Sequence, residues 1–176
     1  MNQHETLIFK ALVDSTVQVF STMLGVDLVP GKRSVECGLP EINDGVVSFI
    51  GLAGSWTGTG SLVCSPEFAC RACAQMLMTE ATAVNDEVLD TVAELTNMII
   101  GSVKNEIETE LGPLGLSIPT VVYGRNFKAK GGAHMEWTVA PFDWDGEQLM
   151  VKVCLAPSPD AHAHVPAHGH SYALEV

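Results

Sequence analysis

The stretch NDEVLDTVAELTNMIIGSVKNEIETEL, residues 85–111, decides the fold. Asn85 is an N-cap residue, Asp86 and Glu87 put acid where a helix start favours it, and Gly112-Pro113 closes the run. Leu89, Val92, Thr96, Ile99, Val103 and Ile107 recur at steps of three and four, one core-facing stripe. Asp90, Glu94, Asn97, Gly101 and Lys104 recur on another face. The spacing predicts a long helix that buries one side and carries two acids, an amide and a glycine along an exposed rail.

Outward from that helix, the chain reads as alternating helices and short strands. Residues 3–24 form an amphipathic helix with Ile8, Leu12, Val19 and Met23 among its apolar positions and Gly25 at its end. Pro30-Gly31 is a turn, a short strand follows near Ser34–Gly38, and Val46–Leu52 and Gly58–Cys64 are two better strands. Ser65-Pro66 caps a second helix to about Thr79. Beyond the central helix come strands at Ile118–Tyr123, at 134–139 and at Leu149–Leu155, with Phe142–Gly146 as the last hairpin. The order predicts a duplicated unit of one long helix and three strands, hence an α+β fold whose antiparallel sheet packs against long helices. Laying Asp14 on Glu94 puts Thr16 on Thr96 but Val17 on Asn97, so the first long helix lacks the amide.

Composition bounds the function. With 176 residues, 47% hydrophobic and 17% charged, the chain is a globular domain that buries about 70% of its unfolded surface. Net charge is −12, too little positive charge for binding a phosphate backbone, so nucleic acid is excluded as a partner. The absence of an eighteen-residue apolar run and of a signal-peptide layout predicts a cytoplasmic protein without membrane contact. The five cysteines then read as reduced thiols. Cys70 and Cys73 form a lone CxxC inside a helix, in step with Ala69, Met76 and Leu77, so they read as small core residues.

The rail limits its own chemistry. Glu94 and Asn97 project side by side, but with no His, Ser or Cys beside them they are not a nucleophile and its base. Asp90, Glu94 and Asn97 share one helix, whereas octahedral ions want ligands from several directions, so no metal site is expected. An amide both donates and accepts, and so can orient a water, as a glutamine does in small GTPases. Such a site is incomplete: a cation for the carboxylate, and the phosphoryl group itself, must arrive with a partner. Gly101 weakens the helix by about 1 kcal/mol relative to alanine. That is explained either by close approach of another protein or by tight packing within this one.

Glu94-Leu95-Thr96-Asn97-Met98 with Gly101 and Lys104, followed by Pro119-Thr120-Val121-Val122-Tyr123-Gly124-Arg125, resembles the CheX branch of the CheC/CheX/FliY chemotaxis phosphatases. The family pattern is an acid or serine, three residues on a Glu, then an Asn and a distant Pro; Asp90, Glu94, Asn97 and Pro119 fit it. The helix and strand order agrees over residues 3–156. The resemblance implies a CheC-like domain, residues 1–156, that removes the aspartyl phosphate of a CheY-type response regulator. Asn97 would align the attacking water and Glu94 would pair with the regulator's lysine. Asp90, Gly101, Lys104 and Pro119 would serve partner binding. It also implies no cofactor of the protein's own, with Mg²⁺ supplied by the regulator, and a homodimer with one site per chain.

A rival from another class is a non-catalytic dimeric module that binds a receiver domain without hydrolysis. Metal or redox sensing through Cys70, Cys73 and the tail histidines is a third. The tail, residues 157–176, carries Pro157, Pro159 and Pro166 among His162, His164, His168 and His170, and reads as a disordered terminus or an incidental metal binder. Arg125, Lys128 and Lys130 form the densest basic cluster, either a solvated strand edge or a contact for an acidic partner.

Overall fold

The computed structural model describes residues 3–38, 41–128 and 136–159, with side chains except at 41–43 and 126–128. The long helix is present as α3, Asp86–Leu111; the Asn85 side chain accepts from the Val88 N–H at 3.0 Å, as an N-cap should. Its buried face is broader than the single stripe: Val88, Leu95 and Ile100 join Val92, Ile99, Val103 and Ile107. The first helix, α1 (Gln3–Val19), runs on as a π-helical turn over Phe20–Leu24 and stops at Gly25 in the left-handed region. The second, α2 (Pro66–Leu77), starts from Ser65, whose hydroxyl accepts from the Phe68 N–H at 3.0 Å.

Among the described residues eight strands make one antiparallel sheet: β1 (Val29–Pro30), β2 (Ser34–Cys37), β3 (Glu41–Gly54), β4 (Trp56–Cys64), β5 (Leu114–Leu116), β6 (Thr120–Lys128), β7 (Glu136–Trp144) and β8 (Glu147–Pro157). The path runs β1-β7-β8-β4-β3-β5, with β2 also on β7 and β6 also on β3. The duplication is visible in this order. Each half contributes a central hairpin, β3–β4 or β7–β8, the two hairpins meet at β4–β8, and each half lays its leading strands on the outer strand of the other. Helix α2 has no counterpart among the described residues. Thr16 and Thr96, matched by the sequence overlay, are both wholly buried, and each hydroxyl donates to the carbonyl four residues back, at 2.6 and 2.7 Å.

All three helices lie against the sheet, and their shared core runs from Leu12 and Phe20 through Leu95 and Ile99 to Ile50, Leu62 and Val151. Phe20, Phe68 and Trp144 meet edge-on or tilted and tie the π-helical turn, α2 and β7 together. Gly60 of β4 seats α3, since an added Cβ would stand 2.8 Å from Ile100 Cγ1. By length and composition the Gln3–Leu24 helix is long and apolar enough to cross a membrane. Here its apolar face is part of the core, packed on α3, β7 and β8.

The structure revises several sequence boundaries. Strand β6 begins at Thr120 rather than Ile118, because Pro119 has no N–H for the ladder and restricts the residue before it. The three-residue β5, within what read as connection, pairs with β3. Strand β7 continues through Trp144, leaving only Asp145-Gly146 as the turn, with φ of +53° and +91°, the left-handed pair a tight hairpin requires. Strand β8 runs one residue past 156, and the Ser158 N–H donates to the Ser55 carbonyl at 3.0 Å. The tail from 160 to 176, with its histidines, lies outside the described residues, as do Lys130 and the side chain of Lys128.

Candidate functional site

The rail is where the spacing puts it. Asp90, Glu94 and Asn97 are all exposed on α3, while Leu95 and Thr96 between them are buried. Asp90, Glu94 and Asn97 share an open groove with Ser117, Ile118 and Pro119, so the distant proline is brought against the helix. A second open groove on the other side is lined by Asp90 and Glu94 together with Met76 and Leu77 of α2. The acids thus form a ridge between two shallow channels, a shape that suits a protein surface better than an enclosed small molecule.

Charge on the ridge is unbalanced. Among the described residues no ion pair involves Asp90 or Glu94, and no hydrogen bond is recorded for the Asn97 side chain. Also among the described residues, no group of three or more His, Cys, Asp or Glu is placed to hold a metal ion. Gly101 is half-buried, and a Cβ there would meet only Leu116 Cδ1 at 3.8 Å, ordinary contact. Packing within this chain therefore does not require the glycine. Lys104 is drawn elsewhere: its ammonium lies 3.0 Å from Glu108 Oε2, and it does not line the groove. Glu108 also accepts from the Leu114 N–H at 2.7 Å, and these contacts, the backbone one first, hold its carboxyl below the ordinary carboxylate range. Glu108, with Lys104 braced against it, fastens the end of α3 to the start of β5.

Exposed apolar residues escaped the sequence reading: Ile118 and Leu77 line the two grooves, and Met78 follows Leu77 at the end of α2. Ile118 is 87% exposed, Met78 95% and Leu77 45%. The position of Ile118 before a proline was the available signal for a residue held off the sheet. The cysteine pair is remote in character: Cys70 and Cys73 are both buried, and burial pushes the Cys70 thiol up, the opposite of a redox-active helix-terminal thiolate. Arg125, the described member of the basic cluster, pairs with Asp44 at 3.1 Å across the β3–β6 ladder.

This architecture is shared with solved relatives. A CheC-like superfamily protein from Shewanella sp. PV-4 is 26% identical, with a TM-score of 0.73 over 89% of this chain and 99% of that one. The structure of a CheX–CheY–BeF3–Mg²⁺ complex from Borrelia burgdorferi contains a chain 26% identical, with a TM-score of 0.70 over 83% of this chain and 96% of that one. The fold is that of the CheC-like proteins. Within that class, residues 46–143 match the model for chemotaxis phosphatase CheX, and the chain belongs to that family. The CheY-P phosphatase CheX of Thermotoga maritima is 27% identical over 148 residues, 83% of this chain and 95% of its own.

Proposed function

We propose that this protein dephosphorylates a CheY-type response regulator, and that Asn97 positions the water that attacks the aspartyl phosphate. The observation that carries the reading is the groove in which exposed Glu94 and Asn97 stand together with Pro119, free of internal partners among the described residues. Kinship with the Thermotoga phosphatase and the Borrelia CheX bound to CheY supports the substrate class.

In this mechanism the regulator brings its acyl phosphate, its Mg²⁺ and its lysine, and α3 enters the regulator's site. The Glu94 carboxylate meets the lysine and fixes the register of the helix. The Asn97 carboxamide, one turn further on, holds a water in line with the phosphorus–oxygen bond. No covalent intermediate forms on this chain. An acyl phosphate hydrolyses unaided, so ordering one water supplies the needed acceleration. Asp90, Pro119 and the bare backbone at Gly101 belong to the contact surface; Lys104 contributes by bracing Glu108, which ties the helix end to β5. Residues 1–156 act as one domain to which Pro157 of β8 and Ser158 also belong, and the working form is a homodimer, which light scattering reads directly.

Phosphate release from an acetyl-phosphate-charged receiver, with and without the protein, tests the proposal. Asn97→Ala is expected to slow release on the order of 100-fold, roughly 3 kcal/mol in the barrier, with little change in affinity. Full activity in that variant would remove Asn97 from the mechanism. Tight binding by the wild type without hydrolysis would instead identify a non-catalytic receiver-binding module.

A further inference from the structure

Apolar side chains flank the acidic ridge, and the chemistry proposed above leaves them unused. Single exposed aliphatics are ordinary on protein surfaces, so exposure alone decides nothing. Position and conformation do. Met78 stands at the end of α2, directly after Leu77 of one groove, and Ile118 lines the other. Leu77 and Ile118 thus lie on opposite banks of the same acids, with Met78 the next residue after Leu77.

Met78 and Ile118 are both held in place at some expense. Met78 has φ +53°, a left-handed conformation in which glycine is the usual helix-ending residue and a side chain is strained. Ile118 sits on a pinned loop: the Ser117 N–H donates to the Gly51 carbonyl at 2.9 Å, the Gly51 N–H donates to Ser117 Oγ at 2.8 Å, and the Ser117 hydroxyl donates to the Ile118 carbonyl at 3.1 Å. Pro119 then restricts the backbone of Ile118 from the other side. With the backbone already fixed, covering these residues costs side-chain freedom but little further backbone freedom.

Electrostatics supplies the reason for apolar banks. An ion pair between Glu94 and an incoming cation is worth little while water surrounds it. It gains strength and specificity only if the contacts around it shut water out, the arrangement seen when a central charged contact is ringed by apolar ones. We infer that Ile118, on one bank of the Asp90–Glu94–Asn97 ridge, and Met78, which follows Leu77 of the other, are the apolar anchors of the receiver-docking surface, so that a partner face with a cationic centre is gripped and dried from both sides. The inference rests on the phosphatase reading and adds to it the residues that set affinity.

The test uses the full chain with a CheY-type receiver charged with beryllium fluoride and Mg²⁺ for binding, and with acetyl phosphate for turnover. The variants are Met78→Gly, Ile118→Ser and the double variant. Each single change is expected to raise Kd on the order of tenfold, as truncation of an interface anchor does, while kcat at saturating receiver stays within about twofold. Melting temperature should hold for Ile118→Ser and hold or rise for Met78→Gly, which separates lost contact from lost fold. If wild type binds and hydrolyses but both variants keep its Kd, the anchors lie elsewhere and the phosphatase reading stands. Loss of self-association with unchanged receiver affinity would likewise overturn the inference, assigning the patch to a contact between copies. A wild type that neither binds nor hydrolyses would sink both readings.

Discussion

Asn97 and Glu94 owe their usefulness to what their neighbours do. Leu95 and Thr96 are buried, so the two polar side chains are turned outward together. Replacing Glu94 by Lys puts like charges at the docking lysine; receiver affinity is expected to fall on the order of tenfold or more, with an altered salt dependence of association, as titration calorimetry at two ionic strengths would show. Gly101 gives a test of opposite sign for fold and function. Alanine meets only ordinary contact there, so Gly101→Ala should raise stability by about 0.5–1 kcal/mol, read as a melting shift, while weakening receiver binding if backbone approach matters. The ridge was legible because helical spacing alone puts Asp90, Glu94 and Asn97 on one face. Met78 and Ile118 were not, because Met78 read as part of a helix running to about Thr79 and Ile118 as the first residue of a strand, and only the end geometry of α2 and β6 exposes them.

At the scale of elements, the placement of α3 depends on its two ends and on one gap in the sheet. Asn85 caps the start, Gly60 makes room for Ile100, and Glu108 joins the last turn to β5. The Glu108 contacts titrate. Its folded carboxyl lies below the ordinary value of 4.5, so their stabilisation is present above that value and is lost as pH falls through the lower folded one. Thermal melts of wild type and Glu108→Gln should therefore differ at neutral pH and converge once pH has fallen below the lowered folded value; a gap that persists in stronger acid would rule out this linkage. Helix bounds were readable from caps and stops, since those signals are local. The three residues of β5 were not, because their pairing with Gly54, Ala53 and Leu52 is made some sixty residues away in sequence and leaves no periodic trace.

Across the whole molecule, the repeat in the chain became a sheet in which neither half completes itself. Its outline was legible in the order of helices and strands. The exchange of leading strands was not, because partner choice between strands depends on the assembled core. Helices α1 and α3 stand as counterparts against one sheet, and Lys10, paired with Asp14 of its own helix, also reaches Glu106 of α3 at 3.6 Å. The apolar N-terminal helix belongs to that core. Because β1 and β2 finish one hairpin while β5 and β6 finish the other, a chain cut in the largely exposed segment between α2 and α3 leaves two pieces, each with bare strand edges cut to fit its counterpart. Co-expressed as separate polypeptides, the two pieces should recombine into a receiver-dephosphorylating complex, whereas either one alone should aggregate. This domain could thus be divided into a genetic reporter that regains enzymatic output only when its fragments meet.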